Sequence, residues 1–251
     1  MAELVNVAVD AMGGDNAPVQ VVKGAVDAVN ADKRVKVFLV GREPVLQEEL
    51  RQYTFDASRL EVVHAGEVID TGEPPVMAIR KKKDSSIVKG MYLVKESTCD
   101  AFVSAGSTGA VLVGGQVIVG RIKGVERPPL APVIPNINGV SLLLDCGANV
   151  DARPGQLVQF AKMGSIYMEH VIGVKNPKVG LVNIGVEEEK GTALTKETYT
   201  RLQAWREIHF IGNVEARDIP FGVADVLVCE AFAGNIVLKM LEGVSDALVK
   251  K

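Results

Sequence analysis

The stretch Asp100–Gly115, DAFVSAGSTGAVLVGG, decides how this chain is read. It opens on a short apolar run, Ala101–Val103, of the length and character of a buried strand. It breaks into Ser104-Ala105-Gly106-Ser107-Thr108-Gly109, then resumes as Ala110–Val119, apolar and long enough for a helix packed on a sheet. Strand, glycine-rich turn and helix together can aim backbone N–H groups at an anion, because the first helical turn has no internal partners for its donors. Gly106 and Gly109 let the backbone approach a ligand closely, and Ser107 and Thr108 add hydroxyls. An ordinary capped strand-to-helix turn has the same look, so this stretch alone leaves both readings open.

The pattern recurs outward in both directions. Leu4–Val9 reads as a strand ending in Asp10, followed by Gly13-Gly14-Asp15-Asn16-Ala17-Pro18 and a helix over Val19–Asn30. Asp10 then stands at a strand's carboxyl end, where open α/β sheets bind ligands, although Asp10 and Asp15 serve equally well as caps. Further strands are expected at Val35–Val40, Leu60–His64, Ser141–Leu144, Val179–Ile184, His209–Gly212 and Val223–Cys229. Helices are expected at Glu43–Tyr53, Val76–Lys83, Ile87–Lys95, Gln156–His170, Thr195–Ile208 and Ile236–Lys251. Ile118–Pro135, with four prolines, reads as an ordered crossover.

Strands alternating with helices imply an α/β fold with a largely parallel sheet covered on both faces, joined by right-handed crossovers. Residues 1–251 are taken as a single domain. Polar turns after Val9, Val103, Leu144, Ile184, Ile211 and Cys229 would then line one edge of the sheet. The final helix ends at Lys250-Lys251 with no glycine or proline stop signal, as though cut there.

The bulk properties narrow the class. With 251 residues, 47% hydrophobic and 24% charged, the chain has material for a large soluble core. A net charge of −3 and 5% aromatic residues supply neither a basic field nor a stacking platform for nucleic acid. Cys99, Cys146 and Cys229 are far apart and odd in number, which fits buried free thiols of a cytoplasmic protein. The N-terminus has no signal-peptide pattern, and no apolar run approaches the ~18 residues needed to span a bilayer.

The motif inventory removes several chemistries. GxSxG, GxxxxGK[ST] and GxGxxG are all missing, as is any metal-ligand cluster. His64, at a strand end, reads first as a structural hydrogen-bonder and second as a catalytic group. Arg80-Lys81-Lys82-Lys83 is either solvated surface or a landing patch for an acidic partner. What remains is anion binding by backbone donors, hydroxyls, amides and a lysine. Lys190 supplies charge and Asn235 a donor, a set able to orient inorganic phosphate or hold a phosphorylated substrate.

With those residues in place, the chain resembles the bacterial PlsX family of phosphate acyltransferases. The matching segments are Val7–Pro18, Ser104–Ala110, Val119–Pro132, Leu142–Pro154, Val179–Gly191, Phe210–Asp218 and Phe232–Asn235. The resemblance implies an α/β/α sandwich similar to phosphotransacetylases and isocitrate dehydrogenase-like folds. It implies transfer of an acyl group from acyl carrier protein to inorganic phosphate, without cofactor or metal. It further implies a homodimer, peripheral association with the inner face of the plasma membrane, and delivery of the acyl phosphate to a glycerol-3-phosphate acyltransferase. The family's pattern has Asn where this chain has Ser107, and Asp-Gly where it has Glu230-Ala231. Family members also continue past Lys251.

Carried onto this sequence, the resemblance assigns Gly106, Ser107, Thr108, Gly109, Gly234 and Asn235 to phosphate or the developing oxyanion. Lys190 stabilises negative charge, Asp10, Gly13, Gly14 and Asn149 shape the cleft, and Arg80–Lys83 is a candidate docking patch for the carrier protein. Two other classes compete with this reading. One is a nicotinamide-dependent dehydrogenase on a related fold; the other is a non-enzymatic module that recruits synthesis enzymes to the membrane.

Overall fold

The computed structural model describes residues 4–250. Its chain divides into two compact units, Met1–Ile122 and Lys123–Lys251, each with its own sheet. The sequence leads one to expect one largely parallel sheet; two sheets are found instead. The two sheets are separated along the chain by the stretch 120–132, which has no regular secondary structure.

In the first unit, β1 (Val5–Asp10), β2 (Val35–Gly41), β3 (Leu60–His64) and β4 (Ala101–Val103) form an all-parallel sheet in the order β3-β2-β1-β4. Strand β2 is buried from Val37 to Gly41, the continuous apolar run expected of a parallel strand covered on both faces. One face is covered by α1 (Val19–Ala31) and α2 (Glu43–Leu50). Helix α1 buries Val22, Ala25, Val26 and Val29, the i, i+3, i+4, i+7 stripe of an amphipathic helix. The other face packs Ala8, Phe38 and Val40 against Leu93 and Val94 of α4 (Ser86–Lys95). Helix α4 is capped by Ser85, whose hydroxyl accepts from the Val88 amide. It packs in turn with α3 (Pro75–Lys81) and α5 (Thr108–Gly114), which runs on as a π-helical turn, Gly115–Val119.

In the second unit, β5 (Val133–Asn136), β6 (Gly139–Leu144), β7 (Lys178–Asn183), β8 (His209–Glu215) and β9 (Val226–Val228) take the order β5-β6-β9-β7-β8. All neighbours are parallel except the β5–β6 hairpin. Strand β5 overlaps the end of the expected crossover. Its prolines hide it from a pattern reading, yet Pro135 is tolerated because β5 is an edge strand. One face carries α6 (Pro154–Tyr167) and α7 (Ala193–Ala204), with Leu157, Phe160, Ala161 and Leu202 against Leu142, Leu144, Val226 and Val228. The other carries the 3-10 turn Ala216–Phe221 and α8 (Ala231–Val249). Each unit is thus a three-layer α/β/α sandwich. Among the described residues, no helix is long and apolar enough to cross a membrane.

Phe160 is fully buried at the centre of the second unit's larger core. Phe160→Ala removes its ring from contact with both the sheet and α6's neighbours, and should lower stability by about 3–5 kcal/mol. Urea unfolding of the variant checks this; a loss below about 1 kcal/mol would contradict the packing described.

Candidate active site

In the first unit the candidate residues gather at the carboxyl ends of β1 and β4. Asp10 is 1% exposed. Its Oδ2 accepts the Ser104 hydroxyl at 2.7 Å, and its Oδ1 accepts the Met12 amide at 3.1 Å. The Ser104 hydroxyl oxygen accepts the Gly106 amide at 3.0 Å. One carboxylate therefore ties the turn after β1 to the turn after β4. Gly13 lies in that junction: a Cβ there would overlap Asp10 Oδ2 and come within 2.8 Å of the Gly106 nitrogen. Gly14 has φ +100°, which favours glycine.

Ser107 is the N-cap of α5, its hydroxyl oxygen accepting the Ala110 amide at 3.3 Å. The capping role explains a hydroxyl at this position and leaves that hydroxyl's own proton to donate. Thr108 is exposed on the first turn, and Gly109 packs beneath Pro75. The Gly106 amide is already spent on Ser104, so what this turn can offer an anion is the Ser107 and Thr108 hydroxyls and the first-turn amides of α5 ahead of Ala110.

In the second unit the organiser is Asp145, at the end of β6 and fully buried. Its Oδ1 accepts the amides of Leu130 at 3.0 Å, Gly147 at 3.2 Å and Ala148 at 3.0 Å. Its Oδ2 accepts the Asn149 amide at 2.8 Å and Asn149 Nδ2 at 2.7 Å. Asn149 is 4% exposed and also donates to the Pro128 carbonyl, so its carboxamide joins two loops. The Asp145 carbonyl oxygen sits where a Cβ on Gly234 would be, so only glycine fits the first turn of α8 at that point.

Helix α8 starts earlier than the sequence suggests. Glu230 is its N-cap and accepts from the Phe232 amide at 2.6 Å and the Ala233 amide at 2.8 Å. The Gly234 amide is bonded to the Glu230 carbonyl. Gly234 therefore contributes close packing rather than a free N–H, and the donor left to a ligand here is the exposed carboxamide of Asn235.

Lys190 lies on the turn after β7, exposed, with its stem over buried Gly185. Strands β6, β9 and β7 are consecutive and parallel, with Leu144, Val228 and Leu181 in register. The turns bearing Asn149, Gly234-Asn235 and Lys190 consequently leave the same edge of this sheet. Sequence reasoning did not single out Asp145, Asn183 or Asn213 as site residues. Asp145 could have been found from its place at the end of an apolar strand before Cys-Gly-Ala-Asn. Asn213 carries no such signal, because it belongs to β8, which extends three residues beyond the expected strand.

Of the basic run, Lys82 donates to the Val68 carbonyl and Glu73, and Lys83 to the Ile79 carbonyl. Arg80 and Lys81 are exposed at the end of α3. His64 accepts the Glu43 amide through Nδ1, which ties the end of β3 to the start of α2. Among the described residues, no group of three or more His, Cys, Asp or Glu side chains could hold a metal ion.

All three cysteines are buried and unpaired. Burial, reinforced by the Asp145 charge, pushes the Cys146 thiol up to about 12, and burial raises Cys99 to about 11. Cys229 is raised well above its ordinary value, again by burial first. None of them offers a thiolate nucleophile near neutral pH.

Residues 5–250 match the family described as "Fatty acid synthesis protein". The chain belongs to this family. Curated relatives of the chain include the phosphate acyltransferase of Clostridium perfringens, 55% identical over 243 residues, covering 97% of this chain and 72% of the relative. That of Clostridium tetani is 53% identical over 240 residues, covering 96% and 72%. Among solved structures, the EutD phosphotransacetylase from Staphylococcus aureus superposes with a TM-score of 0.69 at 20% identity, covering 97% of this chain and 83% of that one. That last likeness concerns the fold.

Iodoacetamide at pH 8 should leave Cys99, Cys146 and Cys229 unmodified in the native protein and label all three after denaturation, as read by mass spectrometry. Rapid native labelling of Cys146 or Cys229 would contradict their burial.

Proposed function

We propose that this protein transfers an acyl group from acyl carrier protein to inorganic phosphate, giving acyl phosphate and free carrier protein. The observation that carries the reading is the match to proteins named phosphate acyltransferase at more than half identity over 97% of the chain. The reaction is an addition–elimination. A phosphate oxygen forms a bond to the thioester carbonyl carbon, the C–S bond breaks, and the departing thiolate takes a proton. With all three thiols buried, the reading is direct attack without a covalent acyl-enzyme.

Lys190 and the Asn235 carboxamide stabilise the negative charge that grows on phosphate and the carbonyl oxygen. Within the first unit, the Ser107 and Thr108 hydroxyls and the first-turn amides of α5 are the groups suited to an anion. Asp10 and Gly13-Gly14 shape the turn beside them, and Asn149 with Gly234 shapes the neighbourhood of Asn235. Exposed Arg80 and Lys81 suit an acidic carrier protein through long-range attraction. A homodimer, contact with the inner membrane surface, and hand-over of the acyl phosphate to an enzyme acylating glycerol 3-phosphate complete the proposal.

Incubating the protein with acyl-carrier thioester and phosphate, then adding hydroxylamine, should trap acyl hydroxamate in step with released carrier thiol. Thiol release independent of phosphate would sink the reading. Lys190→Ala and Asn235→Ala should each lower the rate by about tenfold or more; unchanged rates for both would move the site elsewhere.

A further inference from the structure

The turn that carries Lys190 is held by two carboxamides. Asn213, on β8 and 7% exposed, donates Nδ2 to the Glu187 carbonyl at 2.8 Å. The Lys190 amide donates to that same carbonyl at 3.2 Å, closing the turn Glu187–Lys190. From the other side Asn183, the last residue of β7, donates Nδ2 to the Lys190 carbonyl at 3.1 Å, while its Oδ1 accepts the Ile184 amide at 2.9 Å. Gly191, with φ +91°, lets the chain pass against the Asn183 carboxamide and the Thr195 hydroxyl, where a Cβ would overlap both. The side chains of Glu187, Glu188 and Glu189 are exposed, so the turn's shape comes from these two amides and not from its charges.

Asn213 also shows an imbalance. Its Nδ2 is used, yet its Oδ1 is buried with no hydrogen-bond partner in the structure. A buried amide normally has both ends satisfied. An apolar side chain would fill the same space without an unmatched acceptor, so the carboxamide's use here is the bond it makes to the Lys190 turn.

We infer that Asn213 and Asn183 are positioning residues for Lys190. Neighbouring strands β8 and β7 each contribute one amide, and together they hold the lysine's backbone so that its ammonium meets phosphate at a fixed place. The inference rests on the proposed role of Lys190 in stabilising negative charge. Orientation matters most for groups that act on developing charge, because a displaced donor loses interaction in the transition state first.

A double-mutant cycle in the phosphate-dependent assay tests it. Asn213→Ala should reduce kcat/KM for phosphate by about tenfold, and leave KM for the acyl-carrier thioester unchanged. In the Lys190→Ala background the same substitution should cost less than about twofold, because its effect passes through the lysine. Asn183→Ala should behave alike and serves if Asn213→Ala fails to fold, which circular dichroism of each variant reports. An equal loss in both backgrounds would overturn the inference, as would equal changes in both KM values. If Lys190→Ala alone leaves the rate unchanged, it is the role of Lys190 that fails, and the two failures are thereby told apart.

Discussion

An ionised carboxylate inside a protein is expensive unless donors surround it. Asp145 is fully buried and accepts five hydrogen bonds, four from backbone amides and one from Asn149. Those five bonds define the turn after β6. They also draw in the segment at Leu130, fix Asn149, and set the backbone on which Gly234 rests. Asp10 does the same at smaller scale after β1, joining Met12, Ser104 and, through Ser104, Gly106. Asp10 ends β1 and Asp145 follows β6, each an interior strand of its sheet. At that edge the strands' last carbonyls and the helices' first amides all need partners, and one carboxylate can organise several of them at once.

This arrangement reassigns the polar residues around it. Backbone donors that a glycine-rich turn advertises are partly consumed within the protein: Gly106 by Ser104, Gly234 by the Glu230 carbonyl, and the first amides of α8 by the Glu230 carboxylate. In the first unit the Thr108 hydroxyl stays exposed, and in the second the Asn235 carboxamide and the Lys190 ammonium.

Much of the fold was legible in the sequence, for a physical reason. Parallel strands covered on both faces must be largely apolar, as β2, β7 and β9 are, and eight of the nine strands were expected from short apolar runs of this kind. The ninth, β5, contains Pro135 and is half exposed, so its strand character is visible only through the hairpin partner it finds in β6. Boundaries failed where side-chain bonds decide them: α8 begins at Ala231 because Glu230 caps it, and glycine-containing propensity alone places the start five residues later. Of the candidate site, Lys190, Asn235 and the Ser104–Gly109 turn could be named from residue type and place. Asp145 had only its place at a strand end to mark it, and Asn183 and Asn213 had no signal, since their importance lies in bonds to the Lys190 turn 7 and 26 residues away in sequence.

The β5–β6 hairpin has a consequence for how the second unit assembles. In the finished sheet, β6 lies between β5 and β9. The hairpin needs a closure of only a few residues, whereas β9 arrives after α6, β7, α7 and β8 have all been made. Loop-closure entropy favours the near partner. One of the two edges of β6 is therefore covered early, by a strand whose Pro135 lacks an amide to recruit another chain. The only antiparallel pairing in the described sheets thus closes one edge of the strand that leads into Asp145 for good, and leaves β9 a single open edge to find.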